Sequence, residues 1–150
     1  MNISDKIFPG VIIGILADAV KLLVNYILYF LGFADVVFWQ VTASRFLDKK
    51  YLFMPTAYFI GAVADITVTA GLGVVFVFLI YYIGSKHLYL KGIGYGLVIW
   101  VVIFGTLLGQ SVQEKLPQNP SGIVVTIVAH LFFGLALAFF YRRSSEFIRH

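Results

Sequence analysis

The chain has 150 residues, of which 61% are hydrophobic and only 12% are charged, and its formal net charge is +4. Soluble domains are about 45–50% apolar and about 25% charged, so a water-soluble fold is excluded. The basic residues lie mostly between apolar runs and form no stripe on one element, which excludes a typical nucleic-acid-binding face. The absence of cysteine excludes disulfides, thiolate metal sites and iron–sulfur clusters.

The first apolar run predicts a membrane-spanning helix over about residues 8–32, because about 20 apolar residues cross a hydrocarbon core. Pro9 suits its first turn, where the missing N–H is not needed. The run contains Asp18 and Lys21, whereas the core of a signal peptide is short and uncharged. We therefore expect this helix to be retained.

Residues 33–51 are mixed in character, with aromatic side chains followed by several basic ones. They predict an interfacial amphipathic segment with Trp39 near the lipid headgroups. A short re-entrant turn is the alternative. The second spanning helix is predicted over about residues 54–83, long enough to tilt or to extend beyond the hydrocarbon core.

The third spanning helix is predicted over about residues 91–110, followed by a polar loop at 111–120. The fourth is predicted over about 121–141, with Ser121 as its N-cap. Together these elements predict an all-α polytopic membrane protein. Its single domain, residues 1–150, would be one bundle of four transmembrane helices with the interfacial segment between the first two.

Four spans place both termini on the same side of the membrane. Six basic residues fall on that side: Lys6, Lys86, Lys91, Arg142, Arg143 and Arg149. Four fall on the other: Arg45, Lys49, Lys50 and Lys115. By the positive-inside rule, we expect a multi-pass protein of the inner (plasma) membrane with cytoplasmic termini.

Four ionisable side chains lie inside the predicted spans: Asp18, Lys21, Asp65 and His130. An ionisable group there costs several kcal/mol unless it is paired or hydrated, so each is a candidate functional residue. At 100° per residue, polar and small residues of the first span share one face: Gly10, Gly14, Asp18, Lys21 and Asn25. In the second span Gly61, Asp65 and Thr69 do the same.

Small residues in helical register let membrane helices approach closely. The predicted packing glycines are Gly10, Gly14, Gly61, Gly92, Gly96, Gly122 and Gly134. Gly122 and Gly134 share the row that carries His130, whereas the third span has no charge in its interior. We assign the third span a packing role.

The polar cluster has two interpretations. In the first it is structural: Asp18 and Lys21 pair within one helix, Asn25 completes their hydrogen bonds, and Asp65 pairs with His130. In the second it binds an ion, a proton or a ligand, and the candidates are Asp18, Lys21, Asn25, Asp65, Thr69 and His130. Asp65 would then titrate or bind a cation, with His130 as a relay or gate.

Signatures of hydrolytic enzymes and phosphate loops are absent from the sequence, so we expect no catalytic residues. A single membrane histidine favours neither a haem nor a metal, and we expect no cofactor. A membrane enzyme would need a polar cavity open to one face, near Gln110 and Glu114.

The second half of the chain carries a family resemblance. Residues 90–100 (LKGIGYGLVIW), a polar loop with Pro117, and residues 129–135 (AHLFFGL) resemble small four-helix integral membrane proteins of bacteria described as YqhR-like or as hypothetical membrane proteins. The stripe on the first span is loosely similar to theirs. The resemblance covers about the last 60 residues and implies the topology and a bacterial inner-membrane setting, but no activity.

Two functions follow as hypotheses. The first is a small transporter, channel or ion-coupled protein that uses the midplane cluster and needs an oligomer, because four spans are few for a complete pathway. The alternative is a structural or accessory subunit that binds another membrane protein, with the cluster holding the helices together. The expected partners are the lipid bilayer and either further copies of the chain or another membrane protein, without nucleic acid.

Overall fold

The computed structural model describes residues 4–116 and 118–148, and this part of the chain contains helices and turns but no strand. The elements are α1 (Ser4–Phe30), α2 (Phe38–Ala43), a 3-10 turn (Lys49–Tyr51), α3 (Pro55–Ile83), α4 (Leu88–Val102), a π-helical segment (Ile103–Leu107), α5 (Gly109–Lys115) and α6 (Pro120–Ile148). The predicted all-α fold is confirmed. Pro117 and Arg149, used above, lie outside the described residues.

Four helices are long and apolar enough to cross a membrane: Lys6–Phe30, Pro55–Ile83, Leu88–Leu107 and Pro120–Ser144. This confirms four spanning helices at the predicted places and shows a membrane protein. The fourth helix was predicted to end near residue 141, but its α-helix continues beyond the span to Ile148.

Two helix ends show how local chemistry sets the bounds. At the end of α1, Gly32 has a φ of 82°. The amide of Gly32 donates to Tyr29 O at 2.9 Å and that of Phe33 to Leu28 O at 3.0 Å, the pattern of a glycine-terminated helix. At the start of α6, Asn119 Oδ1 accepts from the Gly122 amide at 2.7 Å. Asn119, and not Ser121 as predicted, is therefore the capping side chain.

The third spanning helix, predicted over about 91–110, lies at Leu88–Leu107, but it is not α-helical throughout. It begins at Leu88 and changes to π-helical geometry at Ile103–Leu107, where the Leu108 amide donates to Ile103 O at 2.8 Å. The Thr106 hydroxyl donates to Val102 O, which competes with the regular backbone ladder. The predicted polar loop is partly helical, because α5 occupies Gly109–Lys115.

The spanning helices form three packed pairs, α1 with α3, α1 with α6, and α4 with α6. Glycines allow the backbones to touch. A Cβ added at Gly73 of α3 would overlap Gly10 and Gly14 of α1, and one at Gly134 of α6 would overlap Gly92 of α4. Similar overlaps exist at Gly14 against Thr69, at Gly96 against His130 and at Gly61 against Trp39.

Gly122 differs from the other predicted packing glycines. The atoms nearest to an added Cβ belong to the side chains of Asn119 and Gln118, at 3.2 Å and 3.6 Å, in the turn just before α6. Among the described residues it therefore lies at the N-terminus of its helix and not against another helix. The packing role of Gly122 stays a prediction.

The 33–51 segment enters the bundle. Its helix α2 packs on α3, and Phe38, Val41 and Ala43 are all buried. An amphipathic helix at the surface would expose one side, so the amphipathic interpretation does not describe α2, while the re-entrant alternative stays a prediction. The parts before Val36 and after Ser44 are mostly exposed.

Contacts from other helices hold α2 at both ends, which a helix of six residues needs because it is too short to be stable alone. Asn25 Oδ1 on α1 accepts from the Phe38 amide at 2.9 Å, at the N-terminus of α2. Lys115 Nζ on α5 donates to Ser44 O at 3.0 Å and to Leu47 O at 2.9 Å, just beyond its C-terminus. A cation there satisfies carbonyls that have no helical partner.

Candidate functional site

The centre of the bundle contains a triad of one ammonium and two carboxylates. Lys21 Nζ lies 2.7 Å from Asp18 Oδ1 on the same helix and 2.6 Å from Asp65 Oδ1 on α3. The three residues are only 1%, 1% and 5% exposed, respectively. The i, i+3 spacing places Asp18 and Lys21 on one face of α1, and the glycine contacts bring α3 close enough for Asp65 to reach them.

The triad carries more negative than positive charge. With both carboxylates ionised and His130 neutral, its formal charge is −1. Oδ2 of Asp65 is buried and has no hydrogen-bond partner among the described residues. A buried polar atom without a partner is uncommon in folded proteins and calls for an explanation such as a bound water, ion or ligand.

Two predicted pairings differ from the structure. Asp65 was expected to pair with His130, but its partner is Lys21. Asn25 was expected to complete the hydrogen bonds of the Asp18–Lys21 pair, but its side-chain oxygen accepts from the Phe38 amide. Both differences have the same origin, because two polar side chains of α1 bond to other elements. Lys21 reaches Asp65 on α3, and Asn25 reaches the backbone of α2.

His130 is 2% exposed, and its Nδ1 lies 2.8 Å from Thr126 O, one turn earlier on α6. A carbonyl oxygen can only accept, so Nδ1 carries a proton, and in the neutral ring Nε2 has the free lone pair. The ring also contacts Phe38 and Phe104, with centroid distances of 5.6 Å and 5.9 Å. His130 therefore has a fixed tautomer.

Thr69 lies one turn after Asp65 on α3 and is buried. Its hydroxyl donates to Asp65 O at 2.8 Å, so it bonds the backbone and not the carboxylate. The hydroxyl oxygen keeps lone pairs that can accept from a bound molecule.

A crevice of about 270 Å³ opens beside the triad. It lies between α3 and α4, which, in the described part of the chain, do not pack along their length as the other neighbouring pairs do. We call it the α3–α4 crevice. Its polar lining residues are Lys21, Thr42, Arg45, Asp65, Thr69 and His130, and apolar residues of α3, α4 and α6 form most of the rest. Of the two triad carboxylates, only Asp65 lines it.

Sequence analysis missed the contribution of α2 to this site. The Phe38 ring lies 4.1 Å from Lys21 Nζ, close enough for a cation–π interaction. Thr42 and Arg45 line the crevice from the same segment. The available signal was the stretch 36–44 (VVFWQVTAS), which carries no charge and so is more apolar than the rest of the 33–51 segment.

Trp100 and Tyr95 on α4 were likewise assigned only to packing. The Trp100 indole donates to Thr126 Oγ1 at 2.9 Å, which joins α4 to α6. The Tyr95 hydroxyl donates to Leu72 O at 2.8 Å, which joins α4 to α3 at one end of the crevice. Neither bond was visible from helical periodicity, because each depends on how two helices are rotated.

Gln110 and Glu114, named above for a possible enzyme, lie on α5 and bond each other at 3.2 Å. Neither lines the α3–α4 crevice. Within residues 4–116 and 118–148 there is also no group of three or more His, Asp or Glu side chains that could hold a metal ion. No family model, curated protein or solved structure matches the chain.

Proposed function

We propose that the protein is a small ion-coupled membrane transport protein in which Asp65 exchanges its contact with Lys21 for a proton or a monovalent cation. One observation carries the proposal. Asp65 is the carboxylate that both pairs with Lys21 and lines the α3–α4 crevice, and its second oxygen has no partner among the described residues.

The charge of the triad gives the exchange its driving force. A buried net charge costs several kcal/mol in a low-dielectric interior. One proton or one monovalent cation would neutralise the formal charge of −1. The site therefore favours the uptake of a single positive charge, and His130, which also lines the crevice, has a ring nitrogen able to pass a proton.

Asp18 explains why the site has two carboxylates. If Asp65 leaves Lys21, the ammonium keeps Asp18, which is 2.7 Å away on the same helix. Lys21 is then not left as an unpaired buried charge, which would cost about 3–5 kcal/mol. The exchange can thus proceed through a rotation of the Asp65 side chain while the tight α1–α3 backbone contact stays in place.

One chain offers a lateral crevice, and we propose that a symmetric homo-oligomer completes the pathway, since closed assemblies of identical chains are the commonest kind. Most of the packing glycines are used within the chain, so the interface would use the exposed apolar faces. We also propose a bacterial inner-membrane location with cytoplasmic termini, from the distribution of basic residues and the family resemblance.

The test is a flux measurement with purified protein in liposomes. We expect the native protein to pass protons or monovalent cations down an imposed gradient, and Asp65→Asn to lose this flux while retaining its helical circular dichroism. Asp48→Asn is the matched control, because Asp48 is an exposed carboxylate outside the bundle.

Equal flux through native protein and folded Asp65→Asn would contradict the proposal. No flux from the native protein, together with lower stability of Asp65→Asn, would favour the alternative. In that case the triad would hold the helices together in an accessory subunit, and the search would turn to a membrane-protein partner.

A further inference from the structure

We infer that the α3–α4 crevice binds a small hydrophobic monovalent organic cation, such as an amine or a quaternary ammonium, with its positive group against Oδ2 of Asp65. This inference rests on the proposed function and names the substrate class of the same site. It has four supports: the shape of the crevice, the unpartnered oxygen, the apolar and aromatic walls, and the balance of charges.

The crevice runs between two landmarks and is open at its side. At one end, Tyr95 donates to Leu72 O. At the other, Arg45 and Phe46 follow α2. The rim residue Val68 is 47% exposed and lies within the spanning length of α3, so the opening faces the hydrocarbon of the bilayer. A molecule dissolved in the membrane can therefore enter sideways.

Oδ2 of Asp65 is the polar anchor. It is buried and unpartnered within the described residues, while Oδ1 of the same carboxylate is 2.6 Å from Lys21 Nζ. An ammonium placed in the crevice would bring its positive charge against this oxygen, and Lys21 would keep its contact with Asp18 as Asp65 turns to the cation. The attraction between the bound ammonium and Asp65 would be stronger than in water, because the dielectric constant of the protein interior is low.

The walls suit an apolar body attached to a positive group. Val68 and Leu72 of α3 line the crevice together with Ile99 and Ile103 of the third spanning helix, and Phe133 contributes an aromatic ring from α6. Aromatic faces attract cations. The volume of about 270 Å³ is just below the range of about 300–1,000 Å³ typical of small-molecule sites, so the ligand must be small, well below the size of a phospholipid.

The charges around the crevice select for a single positive charge. An anion would meet the carboxylate of Asp65, and the one ammonium, Lys21, already contacts both carboxylates of the triad. A monocation neutralises the formal charge of −1 of the triad, whereas a dication would leave one positive charge uncompensated in a crevice that Arg45 also lines. Arg45 is exposed, so solvent and salt screen its repulsion of a monocation bound at Asp65.

The test compares two molecules of nearly equal shape and different charge. Benzyltrimethylammonium is a permanent monocation, and neopentylbenzene is its neutral isostere. We expect radiolabelled benzyltrimethylammonium to bind saturably to the full chain in nanodiscs, with one molecule per chain after subtraction of empty discs. Neopentylbenzene should compete at least tenfold more weakly, and Asp65→Asn should lower the affinity for the cation at least tenfold.

Binding should also release protons. At a pH where Asp65 carries a proton in the empty site, the cation must displace it, so we expect up to one proton released per benzyltrimethylammonium bound, measured with a pH indicator in weak buffer. Asp65→Asn should release none. This readout separates charge pairing at Asp65 from simple partitioning of the probe into the disc.

A crevice-filling variant tests the location. Ile99→Trp should block cation binding while the variant keeps its helical circular dichroism, because Ile99 lines the crevice. Val98→Trp is the matched control. Val98 directly precedes Ile99 on α4, is 59% exposed and is not among the lining residues of the crevice. Unchanged binding in Ile99→Trp would overturn the inference.

The outcomes distinguish this inference from the proposed function. Asp65-dependent proton flux without benzyltrimethylammonium binding would overturn the inference and leave the function standing. Equal affinity for neopentylbenzene would overturn it as well, since the site would then be an apolar crevice without charge selection. If proton flux and cation binding are both absent, the proposed function is contradicted, and the inference that rests on it is overturned as well.

Discussion

Replacing Lys21 by methionine tests whether one shared positive charge holds the centre of the bundle together. Methionine keeps a long, flexible and apolar side chain but removes the ammonium. Oδ1 of Asp18 and Oδ1 of Asp65 are 2.7 Å and 2.6 Å from Lys21 Nζ, so they are at most 5.3 Å apart, the sum of these distances. Without Lys21, two buried carboxylates would face each other with no cation between them.

The structure sets the size of the effect. Removing one partner of a buried ion pair costs about 3–5 kcal/mol, whereas polar contacts in membrane bundles contribute about 1 kcal/mol each. We therefore expect Lys21→Met to lower the free energy of unfolding by about 2–5 kcal/mol. Because protons can neutralise the two carboxylates, this deficit should shrink as the pH falls.

The assay is reversible unfolding in mixed micelles with increasing sodium dodecyl sulfate, followed by helical circular dichroism. Lys86→Met is the control, because Lys86 is exposed in the turn between α3 and α4. Combining Lys21→Met with Asp18→Asn and Asp65→Asn should recover most of the loss, since no buried charge remains. A loss below about 0.5 kcal/mol, or a deficit that grows as the pH falls, would refute the reasoning.

Three further predictions concern the glycine packing and the 33–51 segment. Gly73→Ala should cost about 1–3 kcal/mol in the same unfolding assay because its Cβ meets the α1 backbone, whereas Gly71→Ala, with open space around it, should cost nothing. Lys115→Met should speed amide exchange at residues 44–47 about tenfold, since about 1.4 kcal/mol corresponds to a factor of ten; unchanged exchange would show that the two carbonyl contacts are dispensable. Asn25→Leu should cost about 1–3 kcal/mol and raise exchange most at the Phe38 amide, whose acceptor is removed; uniform exchange would contradict this.

The spanning helices could be predicted from the sequence because length and hydropathy are local properties. A stretch of about 20 apolar residues must satisfy its own backbone in lipid, and an isolated segment can do so only as a helix. The face shared by Asp18 and Lys21 follows from the helical period in the same way, and their contact in the structure agrees with it.

The failures occurred where local signals compete. The 103–107 segment (IFGTL) is apolar like the end of α4 before it, but the threonine bond to Val102 O and the π-helical geometry change its backbone. The 33–51 segment mixes apolar and basic residues, so its average resembles an interfacial helix. Its uncharged stretch 36–44 is mostly buried and its basic part after Ser44 is mostly exposed, and a single average hides this division.

The sequence by itself determined that the chain is helical, that four helices are long and apolar enough to span a membrane, and which polar residues lie within them. Only the tertiary structure decided that Asp65 pairs with Lys21 rather than His130, that α2 lies inside the bundle, and that a crevice separates α3 from α4. The physical reason is that hydropathy and periodicity fix the environment and the face of one helix. Partners across helices depend on relative depth and rotation, and these are set by close backbone contacts such as that of Gly73 with α1.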